Sequence, residues 1–267
     1  MPSLNPEVTQ WISQMGDRDQ VVAYFAYQCL LEQVLHASAP DRAEEQELVA
    51  VALGEALTAR ARSGERDGSS GSVAGNPFLS AVARRTVEYQ HAPRVRVNLA
   101  RLLGYLPHEA VVAYLKKALD DLDAREMARC SLEGFPSEAA TEALMNALNS
   151  AGTTFRVGVL NSLARRRGEA VTGALRRAAD DTQPEVRMAA IEALADRPEP
   201  SHDAILQRSM RSTSPEERLR AHVARVRLAA TLQNYGQQQA ASRIYRSILE
   251  SDAEQSQKKA ARLALGA

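Results

Sequence analysis

The sequence predicts an all-α solenoid, a right-handed superhelix of antiparallel helix pairs. Three observations lead to this fold class: segments of about 30 residues repeat along the chain, apolar residues in each segment recur at helical spacing, and Ala and Leu dominate the composition. Aromatic residues make up only 4% of the chain. The sequence lacks runs of β-branched residues that alternate with polar ones, which are typical of β-strands, so almost no β-structure is predicted.

The repeat is visible as columns of identical residues. Segments that start at Arg125, Arg156 and Arg187 align at an offset of 31 residues, and a segment that starts at Arg96 precedes them at an offset of 29. One further step of 31 residues reaches Arg218. Two leucine columns keep the same register, one with Leu103, Leu132, Leu163 and Leu194 and one with Leu115, Leu144, Leu175 and Leu206.

Each repeat is predicted to be a hairpin of two helices. In the segment from Arg187, Ala190, Ile191 and Leu194 lie at +3, +4 and +7, on one face of a helix. Turns are expected where Gly and Pro interrupt the pattern, near residues 104–107, 134–136, 166–168 and 196–200. Both leucine columns should be buried, because a single hairpin cannot enclose a core and its neighbours must stack on it.

The pattern of Arg, small residues at +3 and +4, and Leu at +7 resembles the short HEAT-like repeats named after phycobilisome lyases. The stretches VRMAAIEAL and ADDTQPEVR match that motif most closely, and the resemblance covers residues 93–213. In that family the Arg and a nearby Asp make structural bonds between successive units. The resemblance therefore implies that the Arg column is structural and that each Asp pairs with the Arg that follows it, at Asp120, Asp121, Asp180 and Asp181.

The flanking segments are less regular. Residues 1–91 are predicted to form a degenerate helical repeat or cap, with long helices from Asp17 and Glu44, a flexible Gly- and Ser-rich loop at 62–77, and another helix after it. Residues 92–213 hold four regular repeats, and residues 214–267 hold a longer helix pair followed by a terminal helix, all in one continuous solenoid. The terminal helix is either a cap or the start of a further repeat in a longer native chain.

The charge and the cysteine content of the chain make some classes of function and location less favoured than others. Lys and Arg total 33 against 33 Asp and Glu, whereas proteins that bind phosphate backbones usually carry a basic excess. Cys29 and Cys130 are too few for a disulfide framework and are expected to pack as small hydrophobic residues in a reducing cytoplasm. The N-terminus lacks a signal-peptide pattern, and no run of 18 apolar residues predicts a membrane span.

The sequence carries no catalytic signature, so neither an enzyme activity nor a cofactor or metal is expected. Ser201, His202 and Asp203 are adjacent, which is not how a nucleophile, a base and an orienting carboxylate assemble. HEAT-like metal hydroxylases use several His-Glu pairs, but the repeats after His108-Glu109 lack the His. Helix capping explains the acidic column of Glu109, Glu138 and Glu169.

A basic column offers the strongest candidate for partner binding. It directly follows the second-helix leucines and consists of Lys116, Lys117, Arg176, Arg177 and Arg208. These positions turn away from the buried leucines and are expected to line a concave groove formed by successive second helices. The structural alternative is an ordinary solvated helix face.

The favoured function is a non-catalytic scaffold that binds a protein with an acidic surface in this groove. The alternative is nucleic-acid binding through the same groove, disfavoured by the zero net charge and by the lack of Trp or Tyr beside the arginines. A bilin-lyase-like enzyme subunit is a third reading, implied by the repeat resemblance alone.

Overall fold

Helices are the only regular secondary structure of the residues that the structure describes. The structure, a computed structural model, describes residues 3–66, 93–149 and 152–266. Within these residues there are 14 α-helices and no strands, which confirms the predicted all-α solenoid class. The chain divides into two compact units, Met1–Leu144 and Met145–Ala267.

The first unit stacks its helices around a core of buried Leu, Val and Ala. Its helices are α1 (Glu7–Gln14), α2 (Gln20–Ala37), α3 (Ala43–Arg66), α4 (Pro93–Leu103), α5 (Ala110–Ala118), α6 (Arg125–Glu133) and the first part of α7 (Glu138–Ala147). Helix α3 contacts α4 and α5, and α6 stacks on both of these. Gly54 permits the close approach of α3 and α5, because a Cβ at this position would lie 2.2 Å from the ring of Tyr114.

The second unit repeats the hairpin most regularly. It contains the end of α7, then α8 (Thr153–Ala164), α9 (Glu169–Ala178), α10 (Pro184–Ala195), α11 (His202–Ser209), α12 (Pro215–Asn234), α13 (Gln238–Glu250) and α14 (Gln255–Leu265). Helix α10 packs against α8 on one side and α12 on the other. Gly168, which precedes α9, has a φ of 112°, a backbone conformation that favours glycine over residues with a Cβ.

The predicted turns and buried columns are confirmed. Helices are interrupted at residues 104–109, 134–137, 165–168 and 196–201, which include all four predicted turns. The leucines expected in the core are all fully buried: Leu132, Leu144, Leu163, Leu175, Leu194 and Leu206. The alignment of repeats in the sequence therefore identifies correctly which leucines form the core.

The N-terminal segment departs from the prediction at two points. Residues 62–66, predicted as the start of a flexible loop, belong to α3, because the strong helix formers before them carry the helix further. Helix α1 was not predicted, and it forms with Val8 and Ile12 on its buried side. Residues 67–77 of the predicted loop and the helix expected after them lie outside the described residues.

The arginine column is structural, as expected, but the predicted Asp partner is wrong. Arg96 pairs with Asp121, with 2.5 Å between Nε and Oδ2, and Arg156 pairs with Asp181, with 3.3 Å between Nη2 and Oδ1. Asp121 and Asp181 therefore bond the preceding Arg, because the end of a second helix lies beside the start of the first helix of the same hairpin. The following arginine, Arg187, instead donates to the main-chain oxygen of Asp181 at 2.8 Å.

The expectation that both cysteines pack inside helices is wrong for Cys130. Cys29 is half-buried, but Cys130 is exposed. Ala128 and Leu132 occupy the buried face of α6, so the intervening Cys130 points outward. Desolvation raises the pKa of this thiol more than the guanidinium of Arg129, 3.1 Å from Sγ, lowers it. The thiol is therefore protonated at neutral pH, unlike an activated nucleophile.

Candidate partner-binding groove

A groove of about 620 Å³ runs along α9 in the second unit. One side of it is α9, and the other is the end of α7 with the residues that follow. The floor consists of small residues at helical spacing on α9, namely Ala170, Gly173, Ala174 and Ala178. The groove has room because these four positions of α9 carry no side chain larger than a methyl group.

Polar side chains stand on both walls of the groove. Arg177 lies on the α9 side of the groove, and Asn146 and Asn149 lie on the α7 side. Arg177 is exposed, and within the described residues no acidic side chain lies within ion-pair distance of its guanidinium. Apolar surface between these polar groups comes from Met145, Leu148 and Val186.

The ion pair of Arg156 and Asp181 also lines the groove. Burial alone would raise the pKa of Asp181, but hydrogen bonds from the Gln183 N–H and from Arg156 more than offset this, so the pKa lies below its ordinary value. The carboxylate is therefore ionised and neutralised by Arg156 at physiological pH. This pair contributes a fixed dipole and leaves Arg177 as the unneutralised cation of the groove.

The three predicted arginines of this unit differ in whether an acidic side chain pairs with them. The Arg176 guanidinium lies 2.9 Å from Glu169 and also contacts Glu199. Arg208 pairs with Asp180 at 2.6 Å, and both side chains are exposed. Exposed pairs of this kind contribute about 0–1 kcal/mol each, but they cancel the local positive charge. Of the three, Arg177 is the one whose charge remains unpaired.

The two predicted lysines belong to the first unit. Lys116 and Lys117 are exposed at the end of α5. The Nζ atom of Lys117 lies 6.0 Å from the centre of the Tyr114 ring, at the outer limit of a cation–π contact. That these lysines share a surface with the arginines of the second unit stays a prediction.

The acidic column does not cap helices as predicted. Glu109 is the N-cap residue of α5, but its side chain makes no capping hydrogen bond. The ring Nδ1 of His108 accepts from the N–H of Ala110 instead, at 3.3 Å. Glu169, the first residue of α9, pairs with Arg176 two turns later. These carboxylates retain a favourable position at the positive ends of their helix dipoles.

A set of buried polar residues near α11 and α12 was not predicted from the sequence. They occupy columns that hold apolar residues one repeat earlier: His202 stands where Val171 does, and Arg225 stands where Leu194 does. The signal was present in the sequence. Extending the register from Arg187 by 31 residues to Arg218 places Arg225 at the +7 leucine position.

Arg197 is also buried, although Arg166 stands at the equivalent position one repeat earlier, and it caps a helix from inside the core. Its guanidinium donates to the main-chain oxygens of Arg166 at 2.7 Å and Leu163 at 3.3 Å, at the C-terminal end of α8. Burial lowers the pKa of Arg197. The negative end of the α8 dipole and these two carbonyl oxygens compensate the charge in place of a carboxylate.

Ser201, His202 and Asp203 do not act together. The Ser201 hydroxyl donates to Glu199 at 2.7 Å, and Asp203 bonds Arg225. His202 is fully buried, and its Nδ1 lies 3.0 Å from the main-chain oxygen of Leu194, so Nδ1 carries the proton. Burial lowers the pKa of His202, and although Glu199 raises it in part, the ring is neutral at neutral pH.

His202→Val is expected to reduce the acid sensitivity of the fold. Because the pKa of His202 is lower in the folded state than its ordinary value of 6.5, the unfolded state takes up the proton first as the pH falls below about 6.5, and stability drops. Val is the residue at the equivalent position, Val171, and it cannot titrate. The free energy of unfolding, measured in urea at pH 7.5 and pH 5, should therefore fall less in the variant than in wild type.

The pKa of His222 is also lowered, mainly by burial, so part of the loss should remain in His202→Val and disappear in the double variant with His222→Ile. Ile is the residue one repeat earlier, at Ile191. Glu199 and Glu217, whose pKa values are lowered, lose their stabilising charges only below this pH window. An unchanged pH dependence in the double variant would show that neither histidine is buried as a neutral ring.

The described residues contain neither a cluster of metal-binding side chains nor a membrane-spanning helix. In residues 3–66, 93–149 and 152–266, no group of three or more His, Cys, Asp and Glu side chains is placed to hold a metal ion. The helices of the same ranges include none that is both long enough and apolar enough to cross a bilayer.

Two family profiles match the sequence. Residues 95–121, which span α4 and α5, match the PBS lyase HEAT-like repeat. Residues 141–226, from within α7 to within α12, match HEAT repeats. No curated protein matches the chain.

Three solved structures resemble the fold. The complex of CpcE and CpcF of phycocyanin lyase from Nostoc sp. PCC7120 is 22% identical, with a TM-score of 0.42, and the match covers 99% of this chain and 88% of that one. Human deoxyhypusine hydroxylase in complex with glycerol is 18% identical, with a TM-score of 0.36 and coverage of 97% and 95%. An engineered protein is 14% identical, with a TM-score of 0.29 and coverage of 98% and 96%.

Proposed function

We propose that this chain, whose sequence matches HEAT-like repeats, is a non-catalytic scaffold that binds an extended, acidic segment of a protein partner in the groove along α9. The observation that carries the proposal is Arg177, an exposed guanidinium without an acidic partner at the edge of a preformed groove. Helical-repeat folds commonly use such extended surfaces to hold other macromolecules.

The chemistry of the groove fits a peptide with a carboxylate. A guanidinium binds a carboxylate through two parallel hydrogen bonds, which gives both affinity and orientation. Asn146 and Asn149 each offer a donor and an acceptor, which suits the N–H and C=O groups of an extended backbone. The floor of Ala and Gly leaves space for that backbone, and Leu148 and Val186 provide apolar contact for a neighbouring side chain.

Nucleic-acid binding is less well supported by the same surface. A phosphate backbone needs several unpaired cations in a row. Arg176 and Arg208 are neutralised by carboxylates, which leaves Arg177 as the one unpaired arginine of the three. The chain as a whole carries no basic excess.

Arg177→Glu is expected to reduce capture of the partner at least about tenfold, a loss of about 1.4 kcal/mol, because a carboxylate then faces the acidic segment. The tagged full-length chain is used to isolate partners from its native host, and each is quantified by mass spectrometry. The dissociation constant for the main partner is then measured at rising salt, where binding should weaken. Reversing Arg177 alone leaves the bonds of Arg176 to Glu169 and Glu199 intact.

Two comparisons control this experiment: Gly173→Phe with Gly173→Ala, and Arg177→Glu with Arg246→Glu. Gly173→Phe should block the groove, whereas Gly173→Ala should not, because a Cβ there meets only the Arg177 Nη1 at 3.6 Å, an ordinary contact. Arg246→Glu reverses an exposed charge on α13 and should leave capture unchanged. Equal capture by wild type and Arg177→Glu would refute the groove, and recovery of nucleic acid in place of protein would favour the alternative function.

A further inference from the structure

Helix α2 carries apolar side chains on both of its faces. Its inner face is buried in the first unit through Ala23, Ala26, Leu30 and Val34. On its outer face, large apolar side chains are exposed by 75% at Val21, 66% at Tyr24, 64% at Phe25 and 54% at Leu35. A helix that is apolar all round is normally covered all round, and a contiguous exposed apolar patch marks an interaction surface.

The outer residues form one continuous surface. Positions 21, 24, 25, 28, 31, 32 and 35 recur at spacings of three and four residues, so they lie within about a third of the helix circumference. The other face of α2 meets α1 and α3. Phe is scarce in this chain, with four in total, and both Phe135 and Phe155 are buried while Phe25 is exposed.

We infer that this outer face of α2 is the contact between two copies of the chain, with the two α2 helices antiparallel and a two-fold axis near Gln28. Apolar residues stand at equal distances on either side of that residue. Val21 and Leu35 lie seven residues on either side of Gln28, and Phe25 and Leu31 lie three residues on either side. A two-fold axis therefore places Val21 against the partner's Leu35 and Phe25 against the partner's Leu31.

The polar groups of the face fit the same arrangement. Tyr24 and Glu32 lie four residues on either side of Gln28, so the Tyr24 hydroxyl meets the partner's Glu32 as a hydrogen-bond donor. The two Glu32 carboxylates are then eight residues apart along the axis, about 12 Å, where salt screens their repulsion. A parallel arrangement would instead bring Glu32 against the partner's Glu32. At the axis, each Gln28 amide can both donate to and accept from its symmetry mate.

This dimer is independent of the proposed function, because α2 belongs to the first unit and the groove to the second. A dimer would carry two grooves, and a partner with two acidic segments would then bind with greater avidity. Loss of the dimer should leave the affinity for a single segment unchanged, so failure of one proposal does not imply failure of the other.

Sedimentation equilibrium of the full chain tests the inference. At about 100 µM, which populates dimers of micromolar affinity, wild type should sediment at twice the chain mass of 29.1 kDa. Phe25→Glu should sediment as a monomer with an unchanged circular dichroism spectrum and thermal melt. The matched control is Leu263→Glu on α14, where the replaced leucine is 70% exposed and the dimer should persist.

Cross-linking tests the register. In a Cys29→Ala, Cys130→Ser background, Gln28→Cys should form a covalent dimer under mild oxidation, because a disulfide needs its two Cβ atoms within about 4.5 Å. Leu263→Cys in the same background should not. A wild-type chain that is monomeric at about 100 µM, a Phe25→Glu variant that still dimerises, or equal cross-linking of both cysteine variants would overturn the proposal.

Discussion

Arg225→Ala is expected to lower the free energy of unfolding by about 3–5 kcal/mol. Arg225 is 1% exposed, with its Nε 2.7 Å from Oδ1 of Asp203 and its Nη2 3.2 Å from the Ser247 hydroxyl. Truncation leaves the largely buried Asp203 carboxylate without its cation, and an uncompensated buried charge is costly. Urea unfolding followed by circular dichroism measures the loss.

A double variant shows whether this pair replaces an ordinary apolar contact. One repeat before Arg225 and Asp203 stand Leu194 and Thr172, both buried. Arg225→Leu with Asp203→Thr restores those residues, and it should cost far less than Arg225→Ala, because exchanging a buried ion pair for packed residues of similar volume is often close to neutral. A double variant as unstable as Arg225→Ala would mean that the two repeats do not share this packing.

Leu163→Ala is expected to cost about 2–5 kcal/mol, as other core leucine truncations do. Leu163 is fully buried in α8, so shortening it removes buried methyl groups and leaves a cavity. Asn161→Ala, an exposed position on the same helix, should stay within about 0.5 kcal/mol of wild type. Because repeats stabilise their neighbours, hydrogen exchange should also accelerate in α10, which packs against α8. A melting curve like that of wild type would contradict the burial of this column.

The repeat register could be predicted from the sequence because the same pattern of residues recurs in successive repeats. Each leucine column carries the same packing requirement in successive hairpins, so one alignment locates turns and core together. Helix α1 and the true end of α3 could not be read in this way, since each occurs once and depends on its own contacts. Arg225 departs from its column because a single Asp203 compensates it, which a pattern of apolar residues does not reveal.

The candidate site was predictable only in part. The sequence placed Arg176, Arg177 and Arg208 on second helices, but it could not show which charges are already paired. Glu199 reaches Arg176 from a loop 23 residues away, and Asp180 reaches Arg208 across 28 residues. The groove itself depends on the absence of large side chains at positions such as Ala170 and Gly173 of α9. In the sequence these are ordinary helix residues, and only the structure shows that they lie opposite the end of α7.

Photo-cross-linking from the groove in the native host tests the central claim most directly. A photoreactive amino acid in place of Asn146 should trap one acidic protein, and the cross-link should disappear when Arg177→Glu is added. The same probe in place of Arg246, on the exposed side of α13, should not trap that protein. If both probes trap the same proteins, or if the cross-link from position 146 survives Arg177→Glu, the groove along α9 is not where this scaffold holds its partner.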